Sequence, residues 1–274
     1  MSLEENASTA LDSPETYKTF DPGAMGDKIS ELPTQLRYAW EISQEASLPK
    51  EYRRIRHIVV TGMGASALAA DLLATLMASA GRVPVEVIRG YDLPAHVWGE
   101  DILVIGCSQS GDTEETLSIF DQARERGAQL LAITAGGSLA ALAESTDIYP
   151  SQATVWRFAY PSQSRAALGF SFALMLGLVC RLRLYPDARL DIMETAEMLE
   201  TMQADLLPDA PTEHNMAKQI AQTFTDHLPV IFGASFLGPV ARRWRSQLNE
   251  NAKQWAIWDT LPELNHNVVV GLDQ

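Results

Sequence analysis

Short apolar runs alternate with turns carrying Gly and Ser through much of the first half of the chain. Residues 57–61, 83–88, 101–106 and 129–134 are rich in Val, Ile and Leu and read as buried strands. Helical patterns lie between them: Ala, Leu and Met after residue 66, and residues 114–123 after the third run. Strands alternating with helices predict right-handed βαβ crossovers and a parallel sheet covered on both faces. Ahead of the first strand, Ile29, Leu32, Leu36, Ala39, Trp40 and Ile42 form an apolar helical stripe. A short helix and a weak strand near residues 147–149 follow the fourth run, and a helix from about 164 to 183 closes the unit. Its apolar stretch, 168–180, is too short to span a bilayer and contains Gly and Ser, so it reads as a core helix.

The pattern then changes. Residues 186–213 look helical and acidic and break at Pro208 and Pro211. A helix around 214–226, a strand at 229–233, a long helix from about 239 to 258 and a second strand at 267–270 are predicted next. The expected organisation is a leader (1–25), a first α/β domain (26–185), a helical linker (186–213) and a partial second α/β domain (214–274). A sheet that small buries little, so the second domain is expected to be completed elsewhere or to belong to a longer protein.

Charge narrows the partners. Against 21 Lys and Arg stand 35 Asp and Glu, a net charge of −14, which disfavours nucleic acid and anionic membranes. A small anion held by local dipoles stays open. Cys107 and Cys180 show no metal-ligand spacing and read as buried free thiols of a reducing compartment. The acidic opening residues lack an apolar signal core, so a cytoplasmic location is expected.

Candidate chemistry gathers in two turns and a late helix. Ser108, Ser110 and Thr113 crowd around Gly111 between a predicted strand and a predicted helix. Such a turn offers a phosphate neutral hydroxyl donors, helix N–H groups and the positive end of a dipole. Capping of the helix is the alternative reading of any one hydroxyl. The turn Gly62-Met63-Gly64-Ala65-Ser66 also follows a strand, and with Ala67 fits the dinucleotide pattern G-x-G-x-x-A. A dinucleotide wants an acid at the end of the next strand, where Arg89 stands instead. Two hydroxyl-bearing turns at the carboxyl ends of parallel strands suit one phosphate-bearing ligand better. In the late helix, Arg242, Ser246, Asn249, Glu250 and Lys253 share a polar stripe, which also fits a solvated face with a Glu–Lys pair. Arg165 is either a surface charge or a cation at the edge of the sheet, and His266 lies in a polar knot at 263–267.

Taken together, Gly62-Met63-Gly64-Ala65-Ser66, the run Ser108 to Leu117, Asn249-Glu250-Asn251-Ala252-Lys253 and Glu263-Leu264-Asn265-His266-Asn267 resemble the bifunctional phosphoglucose/phosphomannose isomerases of the sugar-isomerase (SIS) group. The hydroxyl turn alone points only to a SIS domain; the last two motifs specify the narrower family. The resemblance implies a SIS-type three-layer α/β sandwich with a parallel sheet, and a second SIS domain that is partial here. It implies a metal-free, cofactor-free aldose–ketose isomerase acting on hexose 6-phosphates, as a homodimer. Gly64, Ala65, Ser66, Ser108, Ser110 and Thr113 would hold the phosphate, and Glu250 would move the proton between C2 and C1 through a cis-enediol(ate). His266 would assist ring opening, commonly across a dimer interface, and Arg165 would stabilise the enediolate. Ala65 stands where the family often has Gly, and Asp112 where Asn is frequent. The family's C-terminal helix with its catalytic lysine has no counterpart within these 274 residues. A catalytically silent sugar-phosphate-binding protein and a nicotinamide-dependent dehydrogenase are the alternatives.

Overall fold

A computed structural model of the protein describes residues 10–145 and 153–272. The labelled elements begin with helices α1 (Pro14–Phe20), α2 (Met25–Ser30) and α3 (Leu32–Glu45). There follow β1 (His57–Thr61), α4 (Gly64–Ala80), β2 (Val85–Ile88), β3 (Ile102–Cys107), α5 (Glu114–Glu125), β4 (Gln129–Thr134), α6 (Gly137–Glu144), β5 (Ala153–Arg157) and α7 (Leu168–Arg181). The rest comprises α8 (Arg189–Leu206), α9 (Met216–Thr223), β6 (Val230–Ala234), α10 (Gly238–Gln247) and β7 (Ile257–Leu261). The chain divides into two compact units, Thr34–Thr195, and Met1–Pro33 together with Ala196–Gln274.

The Thr34–Thr195 unit holds a five-stranded, fully parallel sheet in the order β2-β1-β3-β4-β5. Every residue of β3 and β4 is buried, as expected for central strands covered on both faces. Val59, Val104, Leu130 and Ala132 join Ile119 and Phe120 of α5 and Leu139 of α6 in one core. Strand alternation sends Ile58, Leu103, Ile105 and Leu131, all fully buried, to the other face. Helices α4 and α7 pack against each other, and ten of the fourteen residues of α7 are buried. The structure is thus the α/β architecture with helices flanking a parallel sheet that the periodicity predicts.

Three expectations about elements need comment. The weak strand near 147–149 lies outside the described residues; the observed fifth strand is Ala153–Arg157. The long helix predicted to reach residue 258 ends at Gln247, giving way to a π turn, Leu248–Ala252. Lys253 then takes a left-handed conformation (φ 56°), and the Asn249 side chain accepts a hydrogen bond from the Ala256 amide at 2.9 Å. Both features end helical propagation and release residues 257–261 as a strand, parallel to β6. The strand expected at 267–270 is a 3₁₀ turn, Val268–Leu272, opened by the Asn267 carboxamide accepting from the Val268 amide.

Candidate phosphate-binding and proton-transfer site

The strand order itself locates a crevice. From β1 the chain crosses to β2 on one side, and from β3 it crosses to β4 on the other, so the topology switches between β1 and β3. Ligands of open α/β sheets settle outside the carboxyl ends of strands at such a point. The loops that leave there are Gly62–Met63 after β1 and residues 108–113 after β3, brought side by side by the Thr61–Gly106 pairing. Gly62 has to be glycine for this approach: a Cβ there would sit 2.8 Å from the Cys107 carbonyl oxygen.

Within the second loop the hydroxyls organise one another. Ser108, buried, places its Oγ 2.9 Å from Thr113 Oγ1 and 3.4 Å from Ser110 Oγ, and accepts from the Gly111 amide at 3.1 Å. Gly111 adopts φ +78°, and a Cβ would meet the Gly136 carbonyl oxygen at 1.9 Å. Thr113 is the N-cap residue of α5, yet its side chain does not cap this helix. The capping reading of the three hydroxyls therefore fails for α5, because Thr113 turns to Ser108 instead of to the helix amides. α4 likewise begins at Gly64 without a side-chain cap. Two uncapped N-termini flanking a hydroxyl cluster can receive a dianionic phosphate without a cation.

Asp112 resolves differently from its position in the sequence. Its carboxylate accepts from both the Ser138 amide and the Ser138 hydroxyl, each at 2.8 Å, and so faces the first turn of α6. These bonds hold its carboxyl below the usual range. The charge beside the loop is thus engaged by the neighbouring helix, not by the helix the loop opens.

The other predicted residues of this unit differ in environment. Ser66 is buried; its hydroxyl bonds the Cys107 thiol and its amide donates to the Met63 carbonyl at 3.2 Å, so it ties the first loop to the end of β3. Burial pushes the Cys107 thiol up, which keeps it neutral. Arg165 sits half-buried in the turn Ser164–Ala166, which packs against α4. Gln109, which sequence reasoning passed over, connects this segment to the hydroxyl loop: its Nε2 donates to the Tyr160 and Ser162 carbonyls, both at 3.0 Å. Its polarity inside an otherwise hydroxyl motif was the available signal. Thr61 and Thr116 were also missed, since hydroxyls in an apolar strand and a helix turn look structural; both Oγ1 atoms are buried without a hydrogen-bond partner among the described residues. At the end of β2, Arg89 pairs with Asp71 at 2.5 Å, so the position where a dinucleotide ribose needs an acid holds a neutralised cation.

In the other unit, Glu250 lies half-buried on the π turn, so the predicted single helical stripe is broken just where it matters. Lys253 Nζ donates to the Glu250 backbone carbonyl, not to its carboxylate. Arg242 leaves the stripe to lie over the Trp258 ring, 4.5 Å from its centroid. Arg243, unnoticed in the sequence, is close enough for the Glu250 charge to act on it; burial brings its guanidinium down to about 10, and Glu250 opposes that fall. It still carries full charge at neutral pH. His266 is exposed, at the end of the turn Glu263–His266.

Fold and loops together define a doubly wound α/β domain with a hydroxyl-lined crevice at its switch point, the arrangement of a SIS domain. Comparison with known proteins agrees: the SIS-domain family profile matches residues 51–159, and the bacterial phospho-glucose isomerase C-terminal SIS domain matches residues 213–274. A bifunctional phosphoglucose/phosphomannose isomerase of Caldicellulosiruptor bescii is 37% identical over 250 residues, covering 91% of this chain and 72% of that protein. The protein of the same name from Aquifex aeolicus is 30% identical, covering 86% of this chain and 66% of its own length. The chain belongs to the bifunctional phosphoglucose/phosphomannose isomerase family. Among solved structures, the C-terminal domain of glucosamine-fructose-6-phosphate aminotransferase from Francisella tularensis superposes with a TM-score of 0.66 at 18% identity, over 91% of this chain and 72% of that one. Tagatose-6-phosphate ketose/aldose isomerase from Escherichia coli gives 0.64 at 18%, over 89% and 69%. At such identities these likenesses speak to the fold. Among the described residues, no helix is long and apolar enough to cross a membrane.

Proposed function

We propose that this chain interconverts glucose 6-phosphate and mannose 6-phosphate with fructose 6-phosphate. The observation that carries the reading is the pair of uncapped helix N-termini at the switch point, joined by the Ser108–Ser110–Thr113 cluster. The phosphate is held by the Ser108, Ser110 and Thr113 hydroxyls and by the first turn of α4 at Gly64, Ala65 and Ser66. Dipoles and hydroxyls need not be neutralised when substrate leaves, which suits a reversible isomerase inside a protein of charge −14.

Anchoring the phosphate leaves the open-chain carbonyl end free for proton transfer. Glu250 takes the C2 proton of the aldose and returns it to C1, while a proton moves between the oxygens; no bond to a metal is needed. Loss of the C2 proton erases the stereochemical difference between the two aldoses, so one base serves both epimers through one cis-enediol(ate). Glu250 lies half-buried on the π turn, and a positioned carboxylate can move a proton to and from carbon. Arg165 stabilises the enediolate charge, and His266 assists ring opening. A homodimer in the cytoplasm is part of this reading, supported by the family's use of a histidine from across subunits and by two unpaired cysteines.

The test is Glu250→Gln, assayed on both aldose phosphates with a coupled reporter. Removing a general base lowers turnover about 10²- to 10⁴-fold. Fructose 6-phosphate should still raise the melting temperature of the variant. Unchanged turnover on either epimer would remove Glu250 from the mechanism, and background turnover in the unmodified chain with retained ligand stabilisation would leave a binding protein.

A further inference from the structure

The end of the first sheet opposite the phosphate loops carries a cluster that isomerisation does not use. His57 opens β1, Glu86 is the second residue of β2, and His96 lies in the connection between β2 and β3. Register pairs Glu86 with Val59, two residues beyond His57, so His57 and Glu86 are diagonal neighbours on one face of the sheet. The connection brings His96 over them, and its ring stacks on that of His57 with centroids 5.9 Å apart and planes 12° from parallel. Glu86 Oε2 is 3.0 Å from His96 Nε2 and 3.5 Å from His57 Nε2, and the three donor atoms all lie within 4.8 Å of one another.

We propose that His57, Glu86 and His96 bind a divalent transition cation of the zinc class, at a site separate from the proposed isomerase chemistry. Zn–N and Zn–O bonds near 2.0–2.1 Å in a tetrahedron put ligand atoms about 3.3–3.4 Å apart. The two separations to Glu86 bracket that value, and His96, the most exposed of the three, is the ligand freest to turn to close the shell. Two imidazole nitrogens and one carboxylate oxygen suit zinc, nickel, cobalt or copper, whereas magnesium and calcium want shells of oxygen. Three protein donors leave a fourth position for water. The local charge is favourable too: Asp101 acts electrostatically on His57 in addition to Glu86. A plain Glu–His pair is the competing account. A carboxylate oxygen can accept from two imidazoles, so the two accounts differ in whether a cation binds, which titration with Zn²⁺ measures.

A cation here would pin β2, the edge strand beside β1 among the described residues, to β1 and to the following connection. The chain, stripped with chelator and dialysed, is titrated with ZnCl₂ by calorimetry in a non-coordinating buffer, and with Co²⁺ by visible absorption. One strong Zn²⁺ site per chain, a tetrahedral Co²⁺ spectrum and slowed amide exchange at residues 85–88 on Zn²⁺ binding are expected. His57→Ala, His96→Ala and Glu86→Gln should each weaken Zn²⁺ at least about tenfold, as loss of a direct ligand must exceed the effect of an outer-shell partner. His214→Ala with His227→Ala should leave the site intact. Isomerase turnover, to which none of these residues is assigned, reports that each variant has folded. If a ligand variant fails to fold, the Co²⁺ spectrum of the unmodified chain decides. No strong Zn²⁺ binding, an octahedral Co²⁺ spectrum, or unchanged affinity in folded ligand variants would overturn the proposal.

Discussion

Ser108→Ala separates the two things the hydroxyl cluster does. In the folded chain Ser108 is 3% exposed, accepts from the Gly111 amide and touches Thr113 Oγ1 at 2.9 Å. Removing the oxygen leaves a buried amide and a threonine hydroxyl without their partner, a cost of about 1–3 kcal/mol. In a domain of this size each kcal/mol lowers the melting temperature by roughly 2–4 °C, so a fall of about 2–12 °C is expected. The same oxygen is proposed to bond a charged phosphate, and such bonds contribute about 1.5–3 kcal/mol. That corresponds to roughly 10- to 150-fold weaker fructose 6-phosphate binding. Thermal scans with and without fructose 6-phosphate, alongside KM for each aldose phosphate, measure both effects. A lower melting temperature with unchanged affinity would reduce Ser108 to loop structure and sink its place in the phosphate site. No change in either quantity would refute the network itself.

Gly111→Ala should be worse for the fold: a left-handed residue with a Cβ costs about 1–2 kcal/mol before the 1.9 Å encounter with Gly136 is relieved. Poor recovery of folded protein, or loss of fructose 6-phosphate stabilisation, is the expected outcome in thermal scans, and an unshifted melting curve would refute the close approach. Asp112→Asn tests the carboxylate at Ser138. The Ser138 bonds hold its carboxyl below the usual carboxylate range, so its contribution is present above that range and lost as pH falls through the lower folded value. The variant should lose stability relative to the parent near neutral pH, with the difference closing in melting curves taken below about pH 4. A difference that persists or grows in acid would contradict the assignment.

How much was legible in the sequence follows from the kind of information each feature needs. The βαβ alternation of residues 57–134 was readable because central parallel strands are apolar throughout and their turns hold Gly and Ser. The end of the late helix was not, because its polar stripe continues in register past Gln247 while the backbone widens and Lys253 turns left-handed. Glu250 could be named, but its half-buried position beside Arg243 arises from that departure. Gln109 likewise acquires a role only through carbonyls 51 and 53 residues away.

By itself the sequence determined the residue types of the candidate site, three hydroxyls and two glycine turns placed where strands pass into helices, because turn chemistry and helix N-termini are local. Tertiary structure decided how those residues are arranged. The strand order made residues 62–66 and 108–113 neighbours at a switch point, the Ser108–Thr113 bond removed the capping alternative, and Ser138 drew Asp112 away from the helix it precedes. The sheet register and the connection between β2 and β3 gathered His57, Glu86 and His96, which have no common motif in the chain. Each of these depends on contacts between residues far apart in sequence, and pattern along a chain carries no record of which strand lies beside which.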